Sequence, residues 1–79
     1  MDASLFVQIY RNVETGTTNY VLIRNSLRAY ARDCCDGIWH KHPPEDPGEH
    51  DFSADGKRSV SLLEFLYEVE DILINENWL

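Results

Sequence analysis

The last quarter of the chain predicts one amphipathic helix, and this helix constrains the fold more than any other segment does. It begins with Ser61 and Glu64, a capping-box pair in which each side chain can bind the backbone N–H of the other residue. At about 100° per residue, six apolar side chains fall within one arc of roughly 120°. These are Leu62, Phe65, Leu66, Val69, Ile72 and Leu73. The sequence therefore predicts a helix at about 62–75, with Leu66 at the centre of its buried face.

The rest of this helix surface is acidic on one side and apolar on another. Glu64, Glu68 and Asp71 lie opposite the buried face, and no Lys or Arg follows Arg58. A second apolar strip, interrupted by Glu70, consists of Leu63, Tyr67 and Ile74. Two interpretations of this strip stay open. Either it packs under the N-terminal part of the chain, or it is a docking face for another protein or for a second copy of this chain.

Length limits the classes of function. The 79 residues predict a single domain, 1–79, that buries only about 60–65% of its unfolded surface. No apolar run reaches the roughly 18–20 residues needed to cross a bilayer, so we expect no membrane partner. No basic-then-apolar leader is present, so we expect a cytoplasmic protein.

The placement of charge indicates the kind of partner. The net charge is −7, and residues 59–79 carry five acids and no base. An acidic surface repels nucleic acids and attracts basic proteins, so we expect no direct binding of nucleic acid. Arg24, Arg28 and Arg32 recur at every fourth position. We expect them to pair with Asp33, Asp36 or the acids of the last helix rather than with phosphates.

The first half of the chain predicts a hairpin and a helix. Two β-rich runs, 4–10 and 18–24, flank a short loop that contains Gly16, which predicts an N-terminal hairpin, although the first run also fits a helical period. Residues 26–36 predict a second helix, because Ser26 or Asn25 can cap its start and Gly37 stands where a helix commonly ends. We therefore expect an α+β fold with a small antiparallel sheet and two helices. The alternative is an all-α three-helix bundle.

Prolines predict an irregular segment in the middle of the chain. Residues 39–51 contain three prolines and a glycine, which exclude a long regular element and predict a loop. A loop of this length in a small domain is either functional or mobile. An additional short strand near 57–60 would lead directly into the Ser61 cap.

Cysteine and histidine carry the donor atoms that zinc prefers, but their spacing matches no zinc module. The residues concerned are Cys34, Cys35, His40, His42 and His50. We therefore expect reduced thiols, no bound metal and no cofactor, and we expect a chelator to leave the melting temperature unchanged. No nucleophile elbow, phosphate-binding glycine loop or dinucleotide fingerprint occurs, so we also expect no catalytic residue and no enzymatic activity.

In size, acidity and lack of catalytic motifs, the chain resembles the small phage-encoded inhibitors of bacterial defence, including anti-CRISPR proteins. The resemblance implies a non-enzymatic inhibitor that mimics nucleic acid and blocks the DNA or RNA site of a basic effector. The residues expected to contact that partner are Glu64, Glu68, Glu70, Asp71, Tyr67, Trp78 and Trp39. Two alternatives remain: an acidic immunity protein or antitoxin that neutralises a toxin, and a small metal-binding module that uses His40, His42 and His50.

Overall fold

The computed structural model describes residues 4–78, which form a four-stranded antiparallel sheet followed by one helix. The strands lie in the order of the chain, β1-β2-β3-β4, and each pairs with the next. The elements are β1 (Leu5–Asn12), β2 (Thr17–Arg24), β3 (Leu27–Cys35), β4 (Ile38–His42) and α1 (Leu62–Asn75). No helix among these described residues is long and apolar enough to cross a membrane.

The predicted fold is wrong in its second helix, and the all-α alternative is wrong as well. Residues 26–36, predicted as a helix, form β3 and the turns that flank it. Asn25 and Ser26 both have positive φ, as do Asp36 and Gly37. Each pair joins two strands through a two-residue loop, and a type I′ hairpin turn needs positive φ at both of these positions. Residue types that cap helices and end them therefore serve here as hairpin turns.

The predicted loop at 39–51 also begins too early. Ile38–His42 form β4, which pairs with β3 and ends at Pro43, where the missing N–H cannot extend the ladder. The extra strand suggested near 57–60 does not form, and these residues make a turn and an extended lead into the helix. The N-terminal hairpin and α1 are present at the positions where the sequence predicts them, and the Ser61 capping box is formed.

Helix α1 covers one face of the sheet and forms the core with it. Phe65 and Val69 are buried against Leu22 and Tyr30, and the Phe65 ring stacks on the Tyr30 ring with centroids 5.7 Å apart. Full burial of an aromatic side chain of this kind contributes about 1.5–3 kcal/mol. The core is therefore centred on Phe65, the first fully buried residue of the helix.

Leu66 is not at the centre of the buried face, because 42% of it is exposed. The helix is turned so that Glu68 lies toward the sheet. There Glu68 accepts hydrogen bonds from Tyr30 Oη at 2.7 Å and from Arg32 Nη2 at 2.6 Å. Arg32 itself is buried, and its Nη1 donates to the backbone oxygen of Asp55. The sheet side of α1 thus carries a carboxylate that pairs with a buried arginine, a contact that an apolar pattern alone does not reveal.

The proline-rich segment returns across the other face of the sheet. Turns at Pro43–Asp46 and Asp46–Glu49 are closed by backbone hydrogen bonds. Asp51 then pairs with Lys41 through two backbone hydrogen bonds, which brings the segment back beside β4. The opposite half of this face, on β1 and β2, leaves Phe6 and Tyr10 about half exposed.

Candidate functional site

The outer face of α1 is an apolar strip with acids beside it. Leu63, Tyr67 and Ile74 are 60%, 61% and 59% exposed, so this strip is not packed under the N-terminal hairpin. Glu70 interrupts the strip and Asp71 borders it, and both are exposed. We call these five residues the outer face. It combines apolar side chains with carboxylates and has no basic residue of its own.

The acidic row predicted from the sequence is partly neutralised inside the protein. Glu68 pairs with the buried Arg32, and Glu64 pairs with Arg58 at 3.1 Å. Within residues 4–78, Glu70 and Asp71 form no ion pair. The backbone and side-chain hydrogen bonds to Ser61, together with Arg58, lower the pKa of Glu64. Among the acids of α1, the carboxylates left exposed and without an ion pair are therefore those of Glu70 and Asp71.

The two tryptophans expected at the partner surface serve the protein's own packing. Trp78 packs against the core, and the guanidinium of Arg24 lies 4.4 Å from the centre of its ring. Trp39 also packs against the core, with its ring centroid 6.2 Å from that of Tyr20. Of the three predicted aromatic contacts, Tyr67 is the one that the fold leaves open to solvent.

A second candidate site lies on the opposite face of the sheet, where three histidines converge. His40 and His42 alternate along β4 and so point to the same side, and the return of the chain beside Lys41 brings His50 next to them. One ring nitrogen from each histidine lies within 4.8 Å of those of the other two. We call these three residues the histidine cluster. His42 is buried, His40 is half-buried and His50 is exposed.

The Asp33 carboxylate completes this group from the neighbouring strand. Asp33 pairs with His40 across β3 and β4. Its Oδ2 lies 3.5 Å from His40 Nε2 and 3.2 Å from His42 Nε2. Its other oxygen, Oδ1, is buried and has no hydrogen-bond partner among the described residues. A buried carboxylate oxygen without a partner is unusual in a folded protein and calls for an ion or a water.

His42 is held in one orientation by a backbone oxygen. Its Nδ1 lies 2.9 Å from the carbonyl oxygen of Pro47, so in the neutral ring Nδ1 carries the proton and donates it. Burial and the nearby charge of Arg28 lower the pKa of His42, although Asp33 acts in the opposite direction. The other ring nitrogen, Nε2, faces the Asp33 carboxylate.

The sequence offered the three histidines as an alternative metal-binding set, but it did not show that Asp33 joins them, because the donors of this arrangement come from two strands and a loop. The two cysteines that suggested zinc are not part of it: Cys34 is buried opposite Trp39, on the helix side of the sheet, and Cys35 is exposed beyond the cluster. The available signal was the alternation His40-x-His42, which places two imidazoles on one face only if the segment is a strand. The prolines that follow argued for a loop instead.

Comparisons with known proteins leave both surfaces unassigned. The chain matches no protein-family model, and no curated protein or solved structure shows significant similarity to it. Residues 4–78 form no pocket at either surface.

Proposed function

We propose that this protein is a non-enzymatic interaction protein whose outer face binds a basic surface of a larger, nucleic-acid-binding partner in the cytoplasm. The observation that carries the proposal is the exposure of Leu63, Tyr67 and Ile74 beside unpaired carboxylates. Aromatic residues at the centre of an apolar patch are the usual energetic anchors of protein interfaces. Tyr67 has this position on α1.

The charge of the chain favours a basic partner over other occupants. The net charge is −7, and five acids with no base occur after residue 58. A second copy of this chain would bring Glu70 and Asp71 close to like charges, which disfavours a symmetric dimer through this face. A basic groove, such as one that binds a nucleic-acid backbone, would instead receive both carboxylates.

The carboxylates and the tyrosine are expected to act on different rates. Exposed ion pairs contribute only about 0.2–1 kcal/mol each, so Glu70 and Asp71 chiefly steer association. A buried tyrosine anchor contributes about 2 kcal/mol or more, which corresponds to roughly a 30-fold change in affinity. Replacing Tyr67 should therefore mainly accelerate dissociation.

The test begins with capture of the partner by a photo-crosslinking residue. p-Benzoylphenylalanine replaces Tyr67 in one variant and Tyr10 in a control, since Tyr10 is 51% exposed on the other side of the protein. Both variants are irradiated in lysate of the producing cells. We expect a basic protein to be captured from position 67 and not from position 10. We also expect duplex DNA or RNA to prevent its capture.

Rate measurements on the captured protein then test the chemistry. Glu70→Lys with Asp71→Lys should slow association on the order of tenfold at low salt. Glu45→Lys with Asp46→Lys is the matched control, because these acids are also adjacent and exposed. Equal effects of the two pairs would show that only net charge matters and would refute the outer face as the binding site. Capture of a toxin would favour the antitoxin function, and crosslinking to a second copy would refute the basic partner.

A further inference from the structure

Asp33 and His42 place a carboxylate oxygen and an imidazole nitrogen side by side, in a geometry that suits a bound cation. The Nδ1 of His42 donates to the backbone oxygen of Pro47, so the ring turns its Nε2 toward Asp33. This nitrogen lies 3.2 Å from Asp33 Oδ2, and Asp33 Oδ1 is buried without a hydrogen-bond partner among the described residues. A buried carboxylate oxygen of this kind calls for an ion or a water beside it.

We propose that the histidine cluster, together with the Asp33 carboxylate, binds one zinc ion. Imidazole and carboxylate are both ligands of zinc, and three histidines with one carboxylate make a complete tetrahedral set. The hydrogen bond from His42 to Pro47 fixes the tautomer that leaves Nε2 free, as commonly seen for histidines that bind metal. The site is separate from the outer face of α1, so this inference does not depend on the proposed function.

The distances fit the coordination geometry of zinc. Zinc–ligand bonds of about 2.0–2.1 Å place neighbouring ligand atoms of a tetrahedral site about 3.3 Å apart. The two distances from Asp33 Oδ2, 3.2 Å to His42 and 3.5 Å to His40, already match this separation. The histidine nitrogens lie within 4.8 Å of one another, so no pair needs to approach by more than about 1.5 Å. His50 is exposed and can make this movement by rotating its side chain.

The metal would connect two strands of the sheet and the proline-rich segment. Asp33 lies on β3, His40 and His42 on β4, and His50 in the proline-rich segment. A zinc ion would thus fix that segment to the sheet. Because the fold is otherwise held by its own core, we expect zinc to raise the melting temperature and not to be required for folding.

Zinc binding is tested on the full chain without a histidine tag. The protein is stripped with EDTA and dialysed, and Zn²⁺ is titrated in competition with a chromogenic chelator. We expect one zinc ion per chain. At a hundredfold excess of Zn²⁺ over its dissociation constant, we expect a rise in melting temperature on the order of 10 °C. Co²⁺ in place of Zn²⁺ should give the visible absorption of a four-coordinate ion.

His50→Ala is the decisive variant, because His50 is exposed and its loss should not disturb the fold. We expect its affinity for Zn²⁺ to fall by at least about tenfold, and the same for Asp33→Asn. Glu49→Ala is the matched control, since Glu49 is the exposed neighbour of His50 and lies outside the cluster. It should bind zinc as the parent does.

Three results would overturn the proposal. The first is a parent protein that binds no zinc and keeps its melting temperature when Zn²⁺ is added. The second is undiminished affinity in His50→Ala or in Asp33→Asn. The third is an equal loss in Glu49→Ala and His50→Ala, which would indicate non-specific binding to the acidic surface.

Discussion

Replacing Arg32 with Ala tests whether burial or the number of ion pairs determines how much a charged side chain stabilises this fold. Arg32 forms ion pairs with Glu68 and Asp55, and only 1% of its side chain is exposed. Arg58 forms three ion pairs, with Asp55, Glu64 and Glu68, but 43% of its side chain is exposed. A count of ion pairs ranks Arg58 first, whereas burial ranks Arg32 first.

The expected loss of stability in Arg32→Ala follows from the polar groups that lose Arg32 as a partner. Its guanidinium binds both oxygens of Glu68, with Nε to Oε1 at 3.1 Å and Nη2 to Oε2 at 2.6 Å, and it also binds the backbone oxygen of Asp55. Removal of one partner from a buried pair costs about 3–5 kcal/mol. Glu68 is 22% exposed and keeps Arg58 and Tyr30, so we expect the lower end, about 3 kcal/mol.

That loss is large relative to the whole stability of the domain. A chain of this length has a free energy of unfolding of roughly 4–12 kcal/mol. A loss of about 3 kcal/mol should lower the melting temperature by roughly 12–24 °C. Arg58→Ala should cost less than about 1 kcal/mol, because its pairs are screened by solvent.

The assay is urea unfolding followed both by far-UV circular dichroism and by tryptophan fluorescence. Coincident transitions establish that unfolding is two-state, so that the midpoints of the variants can be compared. Equal losses of unfolding free energy in Arg32→Ala and Arg58→Ala would refute the argument that burial decides the contribution. Arg32→Lys keeps the charge but loses the two-pronged contact with Glu68, and it should lie between the parent and Arg32→Ala.

Two further predictions concern the core and the response to acid. In the same urea assay, Phe65→Ala should lower the free energy of unfolding by about 3–5 kcal/mol, because Phe65 is fully buried. Leu66→Ala should lower it by less than about 1 kcal/mol, because Leu66 is 42% exposed. Equal losses in the two variants would contradict the observed rotation of α1. The hydrogen bond from Lys41, followed by the charge of Arg32, lowers the pKa of Asp55 to about 2. A lowered pKa means that Asp55 stabilises the fold above its unfolded pKa of about 4 and loses this effect as pH falls through about 2. The difference in urea midpoint between the parent and Asp55→Asn should therefore shrink from pH 5 to pH 2, and a constant difference would show that the charge of Asp55 is not involved.

Local signals predicted the two ends of the fold but not its middle. The capping box at Ser61 and the apolar period that follows define α1 from the sequence alone, since all of the interactions needed to start it lie within one turn. The first hairpin is also local, because β1 and β2 are joined by a short loop with Gly16 at positive φ. Such elements depend little on the rest of the chain.

The strand β3 could not be assigned in this way, because both of its faces are covered. Tyr30 and Arg32 are buried beneath the helix, while Ala31 is buried on the side of the proline-rich segment. A strand covered on both faces lacks the alternation of apolar and polar residues that identifies a half-exposed strand. Its residues happened to fit a helical period as well. Only the pairing with β2 distinguishes the two structures.

The same strand explains how so small a domain keeps both of its covering segments in place. A chain of this size has a thin apolar core, so additional stabilising links between its segments become important. Arg32 points to the helix side of β3 and holds Glu68 of α1 and Asp55 of the preceding loop. Asp33, the next residue, points to the other side, toward the histidine cluster and the proline-rich segment. Adjacent residues of one central strand thus hold the two covering layers: Arg32 through its ion pair with Glu68, and Asp33 through the proposed zinc ion.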